Sequence, residues 1–177
     1  MKLVILDRDG VINFDTKQYI TTPAQWKPLP GSLEAIARLT QAGYRVAVAT
    51  NQSGVGRGLF DMVSLNAIHA TMHKAVSDAG GRIDAVFYCP HAADTKCTCR
   101  KPAPGMLREI SERFNTPLKN VPFVGDSLRD LQTAEAAGAQ PVLVRTGKGL
   151  QTIKDGGLPA NTLIVDDLAA YVTQLVA

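Results

Sequence analysis

The chain has 177 residues, of which 45% are hydrophobic and 20% charged, and its formal net charge is +3. This composition is that of an ordinary globular domain, and it argues against a disordered tail, a collagen-like repeat or a coiled coil. No apolar run reaches the roughly 18 residues that a membrane helix needs, and Asp7 interrupts the apolar start too early for a signal peptide. The charge is too small to indicate a nucleic-acid partner, although it suits an anionic small molecule.

Short apolar runs alternate with segments of helical periodicity along the chain. We expect strands over residues 3–6, 46–49, 85–88, 121–124, 141–144 and 162–165. We expect a helix capped by Ser32, a helix over Leu128–Ala137, and helices that begin at Asp61, after Pro104 and at Asp166 or Asp167, with loops over residues 8–30, 54–58 and 146–149. The alternation predicts a Rossmann-like three-layer α/β sandwich, with a mostly parallel sheet and helices on both faces. Because every segment between strands is short, we expect one domain over residues 1–177 and no large cap domain.

Polar side chains follow several of the predicted strands. Asp7-Arg8-Asp9-Gly10 follows the first strand, Thr50 the second, and Asp126 the fourth, while Lys101 lies shortly after the third. Ligands of open parallel sheets bind at the carboxyl ends of the strands. Carboxylates there bind Mg²⁺, and a carboxylate is also a nucleophile toward phosphorus. A hydroxyl and an ammonium group hold phosphoryl oxygens, so the set predicts phosphoryl transfer.

Each of these residues taken alone has a simpler interpretation. Asp-x-Asp-Gly is common in turns, Thr50 suits a loop or helix cap, and Asp126 suits the N-cap of the following helix. Lys101 suits a solvated surface, as most lysines do. The occurrence of all four in order, each near the end of a strand, favours the shared site.

The four motifs resemble those of the haloacid dehalogenase superfamily of phosphohydrolases over nearly the whole chain. They read Asp7-Arg8-Asp9-Gly10, Thr50-Asn51-Gln52-Ser53-Gly54, Arg100-Lys101-Pro102 and Gly125-Asp126-Ser127. Within the superfamily the sequence is similar to heptose bisphosphate phosphatases. The resemblance implies a cytoplasmic, Mg²⁺-dependent enzyme that removes the C7 phosphate of a heptose 1,7-bisphosphate, with the β anomer favoured, in nucleotide-activated heptose and lipopolysaccharide core synthesis.

The resemblance also implies a role for each matching residue. Asp7 is expected to be the nucleophile, Asp9 the general acid and base, and Thr50 and Lys101 the groups that hold the phosphoryl oxygens. Mg²⁺ is expected on Asp7, the main-chain carbonyl of Asp9, and Asp126. The residues expected to bind substrate are Arg8, Asp15, Thr16, Lys17, Gln18, Asn51, Gln52, Ser53, Arg100 and Ser127.

All three cysteines lie within one short segment, residues 89–99. Cys89, Cys97 and Cys99 together with His91 make a closed set of four good zinc ligands, which is typical of a structural rather than a catalytic zinc site. The alternative is three free thiols beside a surface histidine. We favour zinc, because the four donors close one short loop that leads directly into Arg100 and Lys101.

Two other functions remain open from the sequence. Histidinol-phosphate phosphatase would use the same motifs, and a zinc-stabilised nucleic-acid-binding module would explain the cysteine cluster. The scattered basic residues and only 6% aromatic residues argue against the second. We therefore expect a small sugar bisphosphate as the partner, no nucleic acid, no membrane and a monomer. The sequence leaves four basic residues without a role: Arg57, Arg129, Arg145 and Lys148.

Overall fold

The computed structural model describes all 177 residues and is built around one six-stranded sheet. The strands are β1 (Leu3–Leu6), β2 (Arg45–Asn51), β3 (Ala85–Cys89), β4 (Pro122–Gly125), β5 (Gln140–Val144) and β6 (Leu163–Val165). Their spatial order is β3-β2-β1-β4-β5-β6, and every neighbouring pair is parallel. The order reverses beside β1, and in doubly wound sheets this switch point is where ligands bind.

Helices cover both faces of the sheet, as the sequence predicts. They are α1 (Ser32–Gln41), α2 (Ser53–Gly56), α3 (Met62–Asp78), α4 (Gly105–Arg113), α5 (Leu128–Ala137), α6 (Gly149–Asp155) and α7 (Leu168–Leu175). Apolar residues of α1, α3 and α7 pack in one buried cluster, and those of α4 and α5 pack in another. The three-layer architecture is therefore confirmed.

The alternation of side chains along the central strands divides the core in two. Val4 and Leu6 of β1 belong to the larger cluster, whereas Leu3 and Ile5 belong to the smaller one. Successive residues of a strand point to opposite faces, so a strand covered on both sides is apolar throughout. This explains why β1 is one unbroken apolar run, and why the polar side chains begin only at its carboxyl end.

The structure differs from the expected elements at three places. Ser32 does not cap α1, because Gly31 occupies the N-cap position and the Ser32 hydroxyl donates to the carbonyl of Val11 at 2.7 Å. The expected glycine-rich loop over residues 54–58 begins with the short helix α2. Helix α6 is missing from the sequence prediction, because the glycines at its start and its brief apolar pattern indicate a loop.

No cap domain covers the carboxyl edge of the sheet. Between β1 and α1 the only regular element is one 3₁₀ turn, Pro23–Gln25, and between β2 and β3 the chain forms α2 and α3. None of the helices is long and apolar enough to cross a membrane.

Candidate active site

Asp7 is the first residue after β1, and its backbone is tied to the neighbouring strand by donation of its N–H to the carbonyl of Val124 at 2.9 Å. Its Oδ1 accepts the backbone N–H of Arg8 at 2.8 Å and lies 2.9 Å from Lys101 Nζ. Burial and the neighbouring carboxylate of Asp130 hold the pKa of Asp7 well above its usual value, although Lys101 opposes them. The side chain is thus a nearly buried carboxyl group fixed beside an ammonium group.

Lys101 bridges two carboxylates at the base of the site. Its Nζ lies 2.9 Å from Asp7 Oδ1 and 2.8 Å from Asp130 Oδ1, and it donates to the carbonyl of Ala49 at 3.0 Å. Burial works against its charge, but Asp130 and Asp7 more than offset this and raise the pKa of Lys101 above its usual value. Lys101 is therefore a permanent, buried positive charge next to Asp7.

Asp9 lies two residues after Asp7 and is held by three donors. Its Oδ1 accepts from Arg8 Nε at 2.9 Å and Asn13 Nδ2 at 3.0 Å, and its Oδ2 accepts from Gln52 Nε2 at 3.3 Å. Burial raises the pKa of Asp9, but the Arg8 guanidinium and these hydrogen bonds lower it below its usual value. Asp9 is consequently a carboxylate before any anion approaches.

The end of β2 supplies a hydroxyl and two amides. The Thr50 hydroxyl is almost entirely buried and accepts a hydrogen bond from Gln52 Nε2 at 2.9 Å. The Asn51 side chain exchanges two hydrogen bonds with the backbone of Lys101, accepting its N–H at 3.0 Å and donating to its carbonyl at 3.2 Å. This pair fastens the segment that carries Lys101 to the strand that carries Thr50.

Asp126 follows β4 and is held by the loop before α6 and by α6 itself. Its Oδ2 accepts the backbone N–H of Lys148 at 2.8 Å, and its carbonyl accepts the Thr152 hydroxyl at 2.7 Å. Gly10 and Gly147, both with positive φ, lie so close to the Asp126 carboxylate that a Cβ at either position would collide with it. Burial and the nearby Asp130 raise the pKa of Asp126 to about 7.

Three carboxylates converge at this point with one ammonium group among them. Ligand oxygens of Asp7, Asp126 and Asp130 all lie within 4.8 Å of one another. Oxygen donors at this spacing suit a hard divalent cation such as Mg²⁺. Burial and the charge of Asp130 raise the pKa values of Asp7 and Asp126, whereas Lys101 lowers the pKa of Asp130. The donor set therefore fits a magnesium ion.

The sequence-predicted residues of the phosphate site lie around one open cavity of about 470 Å³, with a single exception. Those that line it are Asp7, Asp9, Asp15, Thr16, Lys17, Gln18, Thr50, Asn51, Gln52, Ser53, Arg100, Lys101, Asp126 and Ser127. The exception is Arg8, which we expected to bind substrate. Its side chain has no exposed surface and points behind Asp9, so it does not line the cavity.

The outer part of the cavity is rich in positive charge. Lys17, Arg57, Arg100 and Arg129 line it, and none of them forms an ion pair. Lys148 also lines it, with its Nζ 3.5 Å from Asp15. Of the basic residues without a role in the sequence analysis, Arg145 alone lies elsewhere, paired with Asp166 at 2.7 Å. The cavity thus has acidic residues at its base and cations at its mouth.

The cysteine segment forms a cluster beside this mouth. The sulfur atoms of Cys89 and Cys99 are 3.1 Å apart, those of Cys89 and Cys97 are 3.8 Å apart, and His91 Nδ1 lies 3.2 Å from Cys99 Sγ. A tetrahedral zinc ion with bonds of about 2.0–2.3 Å separates its ligands by roughly 3.3–3.8 Å. The separations in the cluster are equal to these values or slightly shorter, and all four ligand atoms lie within 4.8 Å of one another, so the donors could surround one zinc ion. The cysteines form no disulfide.

Asp130 is the site residue that the sequence analysis missed. Its Oδ2 accepts the Ser127 hydroxyl at 2.9 Å and the backbone N–H groups of Asp126 and Ser127 at 3.2 and 3.1 Å, while its Oδ1 faces Lys101. The spacing Ser127-x-x-Asp130 is that of a capping box, which is the signal that predicts such a contact. The same carboxylate therefore caps α5 and pairs with Lys101.

The doubly wound sheet and the carboxylates, hydroxyl and lysine at its switch point define a phosphohydrolase of the haloacid dehalogenase class. A profile of the HAD-hydrolase-like family matches residues 98–171. The D-glycero-β-D-manno-heptose-1,7-bisphosphate 7-phosphatase of Bordetella bronchiseptica is 57% identical over 99% of this chain and 98% of its own length. That of Pseudomonas putida is 54% identical over 99% of this chain and 100% of its own.

A solved structure agrees with these relatives. The crystal structure of D,D-heptose 1,7-bisphosphate phosphatase from B. bronchiseptica, complexed with magnesium and phosphate, superposes with a TM-score of 0.98. It is 57% identical, and the match covers 99% of this chain and 98% of that one. The chain belongs to the family of heptose-1,7-bisphosphate 7-phosphatases.

Proposed function

We propose that the protein is a Mg²⁺-dependent phosphatase that removes the C7 phosphate of D-glycero-β-D-manno-heptose 1,7-bisphosphate through an aspartyl-phosphate. The observation that carries this proposal is the convergence of Asp7, Asp9, Thr50 and Lys101 in one cavity. The names of relatives that are 50–57% identical over at least 98% of the chain supply the substrate.

The carboxylates of Asp7 and Asp126 and the main-chain carbonyl of Asp9 would hold the magnesium ion. When bound, the ion offsets the negative charge of the substrate phosphate and of the carboxylates that surround it. Lys101 supplies the remaining positive charge, because it stays protonated between Asp7 and Asp130. The Thr50 hydroxyl and Lys101 Nζ then bind phosphoryl oxygens and hold the phosphorus in front of Asp7.

In the first step a carboxylate oxygen of Asp7 attacks phosphorus, and the bond from phosphorus to the C7 oxygen breaks. Asp9 donates a proton to the departing oxygen, which leaves as the hydroxyl of the sugar. Asp9 is ionised in the resting site, but the negative charge of an arriving phosphate raises its pKa and favours its protonated form. The products are the heptose 1-phosphate and the aspartyl-phosphate of Asp7.

In the second step water attacks the phosphorus of the aspartyl-phosphate. Asp9, now a carboxylate, accepts a proton from that water, and the bond between phosphorus and the Asp7 oxygen breaks. Inorganic phosphate leaves and Asp7 is again a carboxylate. Asp9 returns to its ionised resting state when it releases to solvent the proton that it took from water. The same residue thus serves as acid and as base, which requires its side chain to keep one position through both steps.

The cations at the mouth of the cavity suit the second phosphate of a bisphosphate. Arg100 follows the cysteine cluster directly, and Arg57 follows α2, so both are attached to elements that border the base of the site. Polar groups of residues 15–18, Asn51, Gln52, Ser53 and Ser127 line the space between the two ends. We infer that they bind the sugar, and that the β anomer at C1 is preferred, as the relatives' names indicate.

We further infer that Cys89, His91, Cys97 and Cys99 hold one structural zinc ion. Their spacing supports this, and the ion would fix the segment that ends at Arg100 and Lys101. Free thiols favour a reducing compartment, so we expect the enzyme in the cytoplasm, where its product would enter lipopolysaccharide core synthesis.

The test is a comparison of kcat/KM for the β anomer, the α anomer and histidinol phosphate. We expect the β heptose bisphosphate to be preferred, and Asp7→Asn to abolish turnover while the fold is kept. Asp166→Asn, the same change in an exposed ion pair that does not line the cavity, is expected to retain wild-type activity. Turnover by Asp7→Asn would refute the nucleophile assignment, and a preference for histidinol phosphate would refute the substrate.

A further inference from the structure

Arg8 lies behind Asp9, on the side away from the cavity, and is completely buried. Its Nε donates to Asp9 Oδ1 at 2.9 Å, and its terminal nitrogen NH1 lies 3.1 Å from Nε2 of His69. The other terminal nitrogen, NH2, has no hydrogen-bond partner. The far end of the guanidinium is therefore held by His69 alone.

His69 lies on the buried face of α3, with only 7% of its surface exposed, and its ring packs near Tyr88 with centroids 6.4 Å apart. A guanidinium group carries only donors, so Nε2 of His69 must be the acceptor of this hydrogen bond. The imidazole is consequently neutral, with its proton on Nδ1. The burial of the ring, together with the charge of Arg8, lowers the pKa of His69 to about 3, in agreement with a neutral ring.

The two oxygens of Asp9 are held unequally. Oδ1 accepts two short hydrogen bonds, from Arg8 and Asn13, whereas Oδ2 accepts one of 3.3 Å from Gln52 and belongs to a side chain that is 27% exposed. Oδ2 is therefore the oxygen that is available for proton transfer. Transfer requires the reacting atoms to lie within about 2.6–3.2 Å of each other, so a small rotation of the carboxylate removes it from reach.

We propose that His69 is a positioning residue: its neutral imidazole orients Arg8, and Arg8 in turn holds Asp9 so that Oδ2 faces the leaving oxygen. This inference rests on the proposed function, because it requires Asp9 to transfer the proton. His69 touches neither the cavity nor the reacting atoms. Its removal would leave two terminal nitrogens of a buried guanidinium without acceptors, and the side chain of Arg8 would turn toward other partners.

The experiment compares two substrates that differ in their need for an acid. The heptose bisphosphate loses an alkoxide that must be protonated, whereas p-nitrophenyl phosphate loses a phenolate that leaves without a proton. Because kcat/KM covers the steps up to the departure of the leaving group, it responds to the position of the acid only for the first substrate. A merely structural defect lowers kcat/KM for both substrates.

Four variants complete the test. His69→Leu removes the acceptor, and His69→Asn carries an amide too short to reach Arg8, so it decides the question if the leucine variant does not fold. His69→Gln carries an acceptor that reaches the position of Nε2. His73→Leu changes an exposed histidine one turn further along α3 and is the matched control.

We expect His69→Leu and His69→Asn to lower kcat/KM for the bisphosphate at least about tenfold, within the range that acid catalysis contributes. Their kcat/KM for p-nitrophenyl phosphate is expected to remain within twofold of wild type. His69→Gln is expected to recover most of the kcat/KM for the bisphosphate that the other two variants lose. Equal losses on both substrates, no loss on either, or failure of glutamine to recover activity would overturn the role of His69 alone. A wild-type enzyme inactive on the bisphosphate would instead overturn the proposed function.

Discussion

Lys101 Nζ lies 2.8 Å from Asp130 Oδ1, and the side chains of both residues are almost completely buried. Lys101 also contacts Asp7 at 2.9 Å on its other side, so the ammonium group lies between the expected nucleophile and a second carboxylate. With Asp130 present, Lys101 is not drawn fully toward Asp7. Asp130 thereby sets the position of the positive charge beside Asp7.

Asp130→Asn is expected to lower the free energy of unfolding by about 3 kcal/mol, the lower end of the cost of breaking a buried ion pair, because Asp7 still pairs with Lys101. The new amide also presents donors either to Lys101 or to the backbone N–H groups that Asp130 now accepts. We expect kcat to fall as well, since Lys101 moves toward Asp7. Urea unfolding and steady-state kinetics measure the two effects.

The matched control is Asp166→Asn, which removes a carboxylate from an ion pair of similar length, 2.7 Å, whose side chains are 44% and 80% exposed. Exposed pairs contribute about 0–1 kcal/mol, so this variant is expected to be nearly as stable as wild type and fully active. Equal destabilisation by the two changes would contradict the structural importance of the buried pair.

The cysteine cluster predicts one tightly bound zinc ion per chain. Elemental analysis of protein purified without chelators is expected to find it, and Cys99→Ser is expected to lose it together with several degrees of thermal stability. The chain from Cys99 continues directly into Arg100 and Lys101, so we also expect a higher KM. Where a chelator is used to remove zinc, Mg²⁺ is added back before activity is measured. The effect of losing zinc is then observed separately from the effect of losing magnesium.

Lys96→Ala is the control for this experiment, because Lys96 is an exposed residue of the same segment with no donor suited to zinc. It is expected to retain both zinc and stability. Wild-type protein that contains no zinc, or a Cys99→Ser variant as stable as Lys96→Ala, would contradict a structural zinc site.

The sequence predicts much of the fold and of the site, because parallel strands end at one edge of the sheet. That rule brings Asp7, Thr50 and Asp126 together without knowledge of any contact. The polar residues lie at the strand ends because the strands themselves are buried on both faces. The predicted helix over Leu128–Ala137 agrees with α5 at both ends, since Ser127 and Gly138 bound it clearly.

What the sequence did not predict depends on where side chains point. Arg8 lies between two site residues, yet side chains continue to alternate past the end of β1, so it points away from the cavity toward His69. Asp130 has the signature of a helix cap, and only the folded chain shows that its second oxygen meets Lys101. Both contacts join segments distant in sequence, His69 being 61 residues from Arg8.

The neutral state of His69 has a consequence for stability. In the unfolded chain histidine binds a proton near pH 6.5, whereas burial and Arg8 lower the pKa of folded His69 to about 3. Between these values the unfolded state binds more protons, so the free energy of unfolding falls as the pH falls. The slope approaches about 1.4 kcal/mol per pH unit, which amounts to about 2 kcal/mol between pH 7 and pH 5.

His69→Gln removes this titration while it keeps an acceptor for Arg8, so its stability is expected to depend less on pH than that of wild type. Urea unfolding at pH 7 and pH 5 measures the free energy of unfolding of both proteins. Between pH 7 and pH 5 we expect wild type to lose about 2 kcal/mol more than the variant. His73→Gln, at an exposed position of the same helix, is expected to keep the wild-type dependence. Parallel curves for wild type and His69→Gln would mean that the imidazole in the folded protein takes up its proton as readily as in the unfolded chain, and Nε2 would then not be the acceptor for Arg8.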